Sequence, residues 1–90
     1  MSTTDVRAAR DALEDAVGST DNPEVRESLE EVASAFAEIE DEESEPDHAV
    51  FDSHLNTLRQ ARERAGGETA QAVGEALEHA EAYREDLSRT

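Results

Sequence analysis

The sequence has no cysteine and no lysine, and no apolar run approaching the length of a membrane span. Without cysteine there is no disulfide framework and no thiolate chemistry. Without some 18 consecutive apolar residues there is no spanning helix, and the opening MSTTDVRAAR lacks the apolar stretch of a secretory signal. The expectation is a soluble, cytoplasmic protein that stays off membranes. Glycine-rich phosphate loops are missing too. Gly66-Gly67 is a lone pair that reads as a helix boundary, and no serine sits in a G-x-S-x-G context. Nothing here supports nucleophilic catalysis, so the chain is expected not to be an enzyme and to carry no cofactor.

What is present is acid. The 90 residues hold 24 Asp and Glu against 8 basic residues, all of them Arg, for a net charge of −16. A nucleic-acid-binding surface needs a basic footprint, and this balance has the opposite sign. A GC-rich genome accounts for Arg in place of Lys and for 15 alanines, but not for three acids per base. A cytoplasm of concentrated salt accounts for all three. Carboxylates hold water and non-specific hydrated cations, and at about 1 M salt a Debye length of roughly 3 Å mutes their repulsion. The lysine stem, by contrast, exposes apolar surface that concentrated salt drives out of water.

The densest stretch is Glu38–Asp47, EIEDEESEPD, with seven carboxylates in ten positions. It lacks the alternating ligands and the turn glycine of an EF-hand loop. In a chain this acidic it reads as a solvated turn, with Ser44 as helix N-cap and Asp47 as its capping-box partner. Phosphorylation of Ser44 and phosphate mimicry by the carboxylates are the rival readings.

Leu, Ile, Val and Phe make up 15 of 90 residues, a proportion that with this charge falls in the range of disordered chains. Periodicity opposes that. Val25, Leu29, Val32, Phe36 and Ile39 step by 4, 3, 4, 3 along one helical stripe. Val6, Ala9, Leu13 and Ala16/Val17 form a second stripe, and Phe51, Leu55, Leu58, Ala61 and Ala65 a third. Val73, Leu77, Ala80 and Leu87, with Tyr83 beside them, form a fourth. Gly18 is read as the stop of the first helix, Asn22-Pro23 as cap and first residue of the second, and Gly66-Gly67 as the boundary between third and fourth. Helices are predicted near 4–18, 23–42, 47–65 and 68–88. Short connections make neighbours antiparallel, so the predicted fold is all-α: an up-down-up-down four-helix bundle of two αα-hairpins, one domain over residues 1–90. Helices two and three, with the larger side chains, are expected at the centre, covered by the alanine-rich first and fourth. A shift of 44 to 45 residues superposes the two hairpins' patterns, a hint of internal duplication.

The halves differ in charge: residues 1–45 carry −12 and residues 46–90 carry −4. That makes the second hairpin the better candidate for touching a partner. Its sequence LRQARER places Arg59, Arg62 and Arg64 within six residues, suited to an acidic element of a partner protein or to the negative end of their own helix. Arg10, Arg62 and Arg84 fall on apolar stripes and are expected to lie along the core edge and pair with nearby Glu. Tyr83 joins the candidate contacts, through a homodimer that would bury Phe36, Phe51 and Tyr83 across a two-fold axis.

Of the histidines, only His48, with Glu45 three residues before it, matches the Glu-x-x-His of a di-iron bundle, and at a helix entrance. Glu75 with His79 and His48 with Asp52 are ordinary i, i+4 pairs, and His54 borders the third stripe. No metal site is expected.

Together, PDHAVFDSHLNTLRQ, ARDALEDA and HAEAYRED resemble a family of short acidic haloarchaeal proteins over nearly the whole chain. That family has no assigned activity, so the resemblance implies a halophilic helical protein and no catalytic residue. The expected role is a protein–protein interaction or structural module. The rival is an acidic mimic of nucleic acid that inhibits a basic nucleic-acid-binding protein.

Overall fold

The computed structural model describes residues 4–42 and 47–88, and every regular element among them is helical. The helices are α1 (Thr4–Ser19), α2 (Pro23–Glu42), α3 (His48–Arg64) and α4 (Gly67–Ser88). Each packs on its neighbours in a closed ring, α1 on α2, α2 on α3, α3 on α4 and α4 on α1. Side-chain pairs show every interface to be antiparallel. Arg10 near the start of α1 meets Glu40 near the end of α2, Phe36 meets Phe51, Asp52 meets Arg84, and Ser19 meets Thr69. This is an up-down-up-down four-helix bundle. Its Cα radius of gyration, 12.1 Å, matches the roughly 12 Å of a compact domain of this length.

The apolar stripes become the core. Val6, Ala9, Leu13 and Ala16 are buried on α1, and all five stripe residues on α2. Phe51, Leu55, Leu58 and Ala61 are buried on α3, and Val73, Ala76, Leu77, Ala80 and Tyr83 on α4. Ala12 joins them, while Val17 and Ala65 pack at the edge. The Leu87 side chain and Ser44 lie outside what the structure describes. Phe36 stacks on Phe51 with ring centroids 5.5 Å apart, and Phe51 in turn meets Tyr83 at 5.5 Å. Among the described residues the one large apolar side chain left exposed is Val50.

Three expectations need correcting. First, the caps. Asp47 itself caps α3: its carboxylate accepts from the amides of Ala49 (2.8 Å) and Val50 (3.4 Å). Asp47 is thus the cap, not the capping-box partner, because the helix begins one residue after it. Second, Gly18 does not stop α1; it lies inside the last turn, and the helix runs on to Ser19. The left-handed glycine is Gly67, with φ of 55°, which reverses the chain into α4 at a conformation that costs other residues. Third, α2 and α3 are not the centre. The most extensive helix–helix contact is α1 on α4 and the least is α2 on α3. Buried alanines let α1 and α4 approach closely, whereas the stacked rings of Phe36 and Phe51 hold the α2 and α3 backbones apart.

Candidate interaction surface

One end of the bundle is polar and well satisfied. At the end where α1 meets α2, the amide of Thr20 donates to the carbonyl of Ala16 (3.1 Å), and Arg26 donates to the carbonyl of Thr20 (2.7 Å). Asn22 then caps α2 by accepting from the amides of Glu24 (2.9 Å) and Val25 (3.3 Å), as its place before Pro23 requires. The Ser19 and Thr69 hydroxyls bond each other at 2.7 Å and tie α1 to α4. Thr20 and Thr69 are buried, which apolar periodicity does not reveal. With Asp21, Arg64 and Gly66 these residues line a shallow hollow of about 290 Å³.

The arginines of LRQARER do not converge. Arg59 reaches across to α4 and donates to Glu81 at 2.9 Å, both side chains about half exposed. Arg64 turns the other way, its guanidinium 4.0 Å from Glu24 of α2. Arg62 is exposed and lies flat over α4, its Cδ 3.9 Å from where a Cβ on Gly74 would sit. Among the described residues Arg62 has no ion-pair partner, although Glu75, Glu78 and Glu81 line the same groove. That groove, of about 450 Å³, has a floor of Ala70, Gly74 and Leu77. Arg62 therefore departs from the expected pairing with Glu. Both Arg62 and Arg64 stand in α3's last turn, where a cation opposes the helix's negative end.

Tyr83 is placed differently from its reading as a contact residue. It is 3% exposed, with its ring against Phe51, so it belongs to the core. Phe36 and Phe51 are likewise fully buried within one chain. The three rings leave nothing for a two-fold axis to cover unless the bundle opens.

Elsewhere the pairs mostly join neighbouring helices. Arg84 holds Asp52 with two bonds, 2.8 and 3.4 Å, and this hydrogen bonding keeps the Asp52 carboxyl below its ordinary range. The partner is an aspartate on α3. Arg10 donates to Glu40 (2.7 Å) and Glu14 (3.3 Å). His79 stands 3.6 Å from Asp5, while His54 is half-buried with its ring edgewise to Phe36 at 6.3 Å. Among the described residues no three His, Asp or Glu side chains gather as a metal site, and Glu45 lies outside them. By contrast, the outer surface of α2 exposes Glu27, Glu30, Glu31, Glu38 and Asp41, none paired among the described residues.

No helix of the described chain is long and apolar enough to cross a membrane. Neither a curated protein nor a solved structure matches this sequence. One family model does, over residues 1–86, and on that match the chain belongs to DUF7553, a family of unknown function.

Proposed function

We propose that this protein is a small, non-catalytic helical module that binds a protein partner through the α3–α4 surface around Arg62, in a cytoplasm of concentrated salt. The observation that carries the reading is Arg62 itself. In a chain with three acids per base, this exposed guanidinium lies in a groove beside three glutamates and pairs with none of them. A partner that brings a carboxylate to Arg62 and cations to Glu75 and Glu78 would complete the groove's charges. The small side chain of Ala70 lets another chain approach beside the Arg62 stem, which covers Gly74. Arg59 and Arg64, already tied to Glu81 and Glu24, would border that contact. Hydrated cations would cover the remaining carboxylates without fixed sites.

The unpaired acidic surface of α2 favours the second reading, a mimic that blocks a basic nucleic-acid-binding protein. The two separate in one experiment. The tagged protein is used as bait in a native extract at about 2 M KCl, where charges beyond a few ångströms are screened. Binding at the groove predicts capture that Arg62→Glu abolishes and Glu27→Gln leaves intact. Mimicry predicts a partner that nucleic acid displaces, that fades as KCl rises, and that Arg62→Glu retains. Capture indifferent to Arg62 overturns the groove as the binding surface.

A further inference from the structure

The last turn of α2 is charged against its own helix. A helix C-terminus carries roughly half a negative charge. Here that turn has no basic residue, and Glu38, Glu40 and Asp41 are crowded at the end of the helix. The core is thinnest at the same place: Ile39, at 9%, is the most exposed of its members. Left to itself this turn would fray.

What holds it is a single carboxylate. Glu40 receives the Nε of Arg7 at 3.4 Å on one oxygen and the Nε of Arg10 at 2.7 Å on the other. Its side chain is 12% exposed and that of Arg10 is 29%. Both guanidiniums come from the first half of α1, so the pairings cross between helices. Glu38 and Asp41 are exposed and pair with nothing among the described residues.

We propose that Arg7, Glu40 and Arg10 form a latch that fastens the last turn of α2 to α1 and tightens as salt rises. The sign follows from burial. Salt screens exposed charges strongly and partly buried pairs much less. Raising it relieves the repulsion of Glu38 and Asp41 with the helix end and with each other, while the sheltered Arg10–Glu40 bond persists and the exposed Arg7, whose side chain is 73% exposed, contributes less. At low salt the balance reverses, and the turn lifts Ile39 out of the core. The core around Val73–Leu77, under the close α1–α4 contact, does not share this response.

The same geometry gives neighbouring carboxylates opposite roles. Removing charge at Glu38 should tighten the turn. Removing it at Glu40 should loosen it, although both changes make the helix end less negative. A purely electrostatic account of the helix end predicts the same sign for both.

Amide hydrogen exchange on the full chain, at about 0.1 and about 2 M KCl, tests this. The expected result is that protection of the Ile39–Asp41 amides rises with salt more than that of the Val73–Leu77 amides. At about 2 M KCl, Glu40→Gln should lower Ile39–Asp41 protection by about tenfold and leave Val73–Leu77 within about twofold, because only local opening changes. Glu38→Gln should raise it. If Glu40→Gln unfolds the whole chain, Arg10→Gln, which removes the sheltered bond of the latch, decides by the same local readout. Unchanged Ile39–Asp41 protection in the deciding variant overturns the latch. So does protection of this turn that falls as KCl rises.

Discussion

Phe36 is where three helices meet through rings. It lies at the middle of the α2 stripe, is fully buried, stacks on Phe51 and takes the edge of His54. Through Phe51 the contact extends to Tyr83 of α4. Replacing Phe36 by Ala should cost roughly 3–5 kcal/mol, by lost transfer energy and the cavity left behind. A domain with about 5–15 kcal/mol in all tolerates that poorly, so thermal melting should show a large fall, and a Tm within a degree or two of wild type would contradict the packing. The position was legible because the 4-3-4-3 spacing admits one face. The ring partners were not, since they come from helices 15 and 47 residues away.

Asp52 supplies a test at the same scale. The hydrogen bonds from Arg84 hold its carboxyl below the ordinary value. Its folded pKa is depressed, so the pairing stabilises the fold above the unfolded Asp value, about 3.9, and is lost as pH falls through the lower folded value. Carboxyl NMR titration should place Asp52 below the ordinary aspartate value, and Arg84→Gln should move it back up. The sequence placed Arg84 on its stripe and pointed to a Glu partner rather than Asp52, because side chains so far apart in the chain meet only once α3 and α4 have packed.

At the scale of the elements, the glycines divide by backbone rather than by crowding. Gly67 adopts the left-handed conformation and has open space around it. Gly67→Ala should therefore destabilise through strain alone, by roughly 1–2 kcal/mol. Gly18 is helical with nothing near, and a Cβ on Gly74 would meet only the Arg62 stem at ordinary contact. Gly18→Ala and Gly74→Ala should each stabilise by about 0.5–1 kcal/mol, by helix propensity and reduced freedom of the unfolded chain. Denaturant midpoints of the three variants check the opposite signs. Gly18 looked like a stop because a glycine after an apolar stripe usually is one. Here Thr20 satisfies the Ala16 carbonyl from beyond it, so α1 needs no left-handed residue to end.

Across the whole molecule, charge and core are in tension. The bundle measures 38 × 21 × 18 Å. In 10 mM salt the Debye length, roughly 30 Å, spans most of it, so the 24 carboxylates act on one another as a set. At about 1 M it falls to roughly 3 Å, less than the 5.4 Å pitch between successive helical turns. Helical circular dichroism should therefore grow markedly between dilute buffer and about 2 M KCl. Full and cooperative helicity in 10 mM buffer would show that packing alone suffices. Light scattering in the high-salt buffer should give the 9.8 kDa of one chain, since the three aromatic rings are already buried within it.

The sequence by itself determined which segments are helical, which side of each is buried, and that the connections are short enough for antiparallel neighbours. These depend on residues three and four apart or on turns of a few residues, and local spacing suffices for them. Only the tertiary structure decided that α1 and α4 form the most extensive contact, that Tyr83 is core, that Glu40 is shared by two arginines and that Arg62 pairs with none of the described carboxylates. Each of those depends on which side chains from distant segments arrive at the same place. Helical periodicity orients a side chain about its own axis and leaves its partner on the neighbouring helix to be set by how far the packed alanines and rings let the backbones approach.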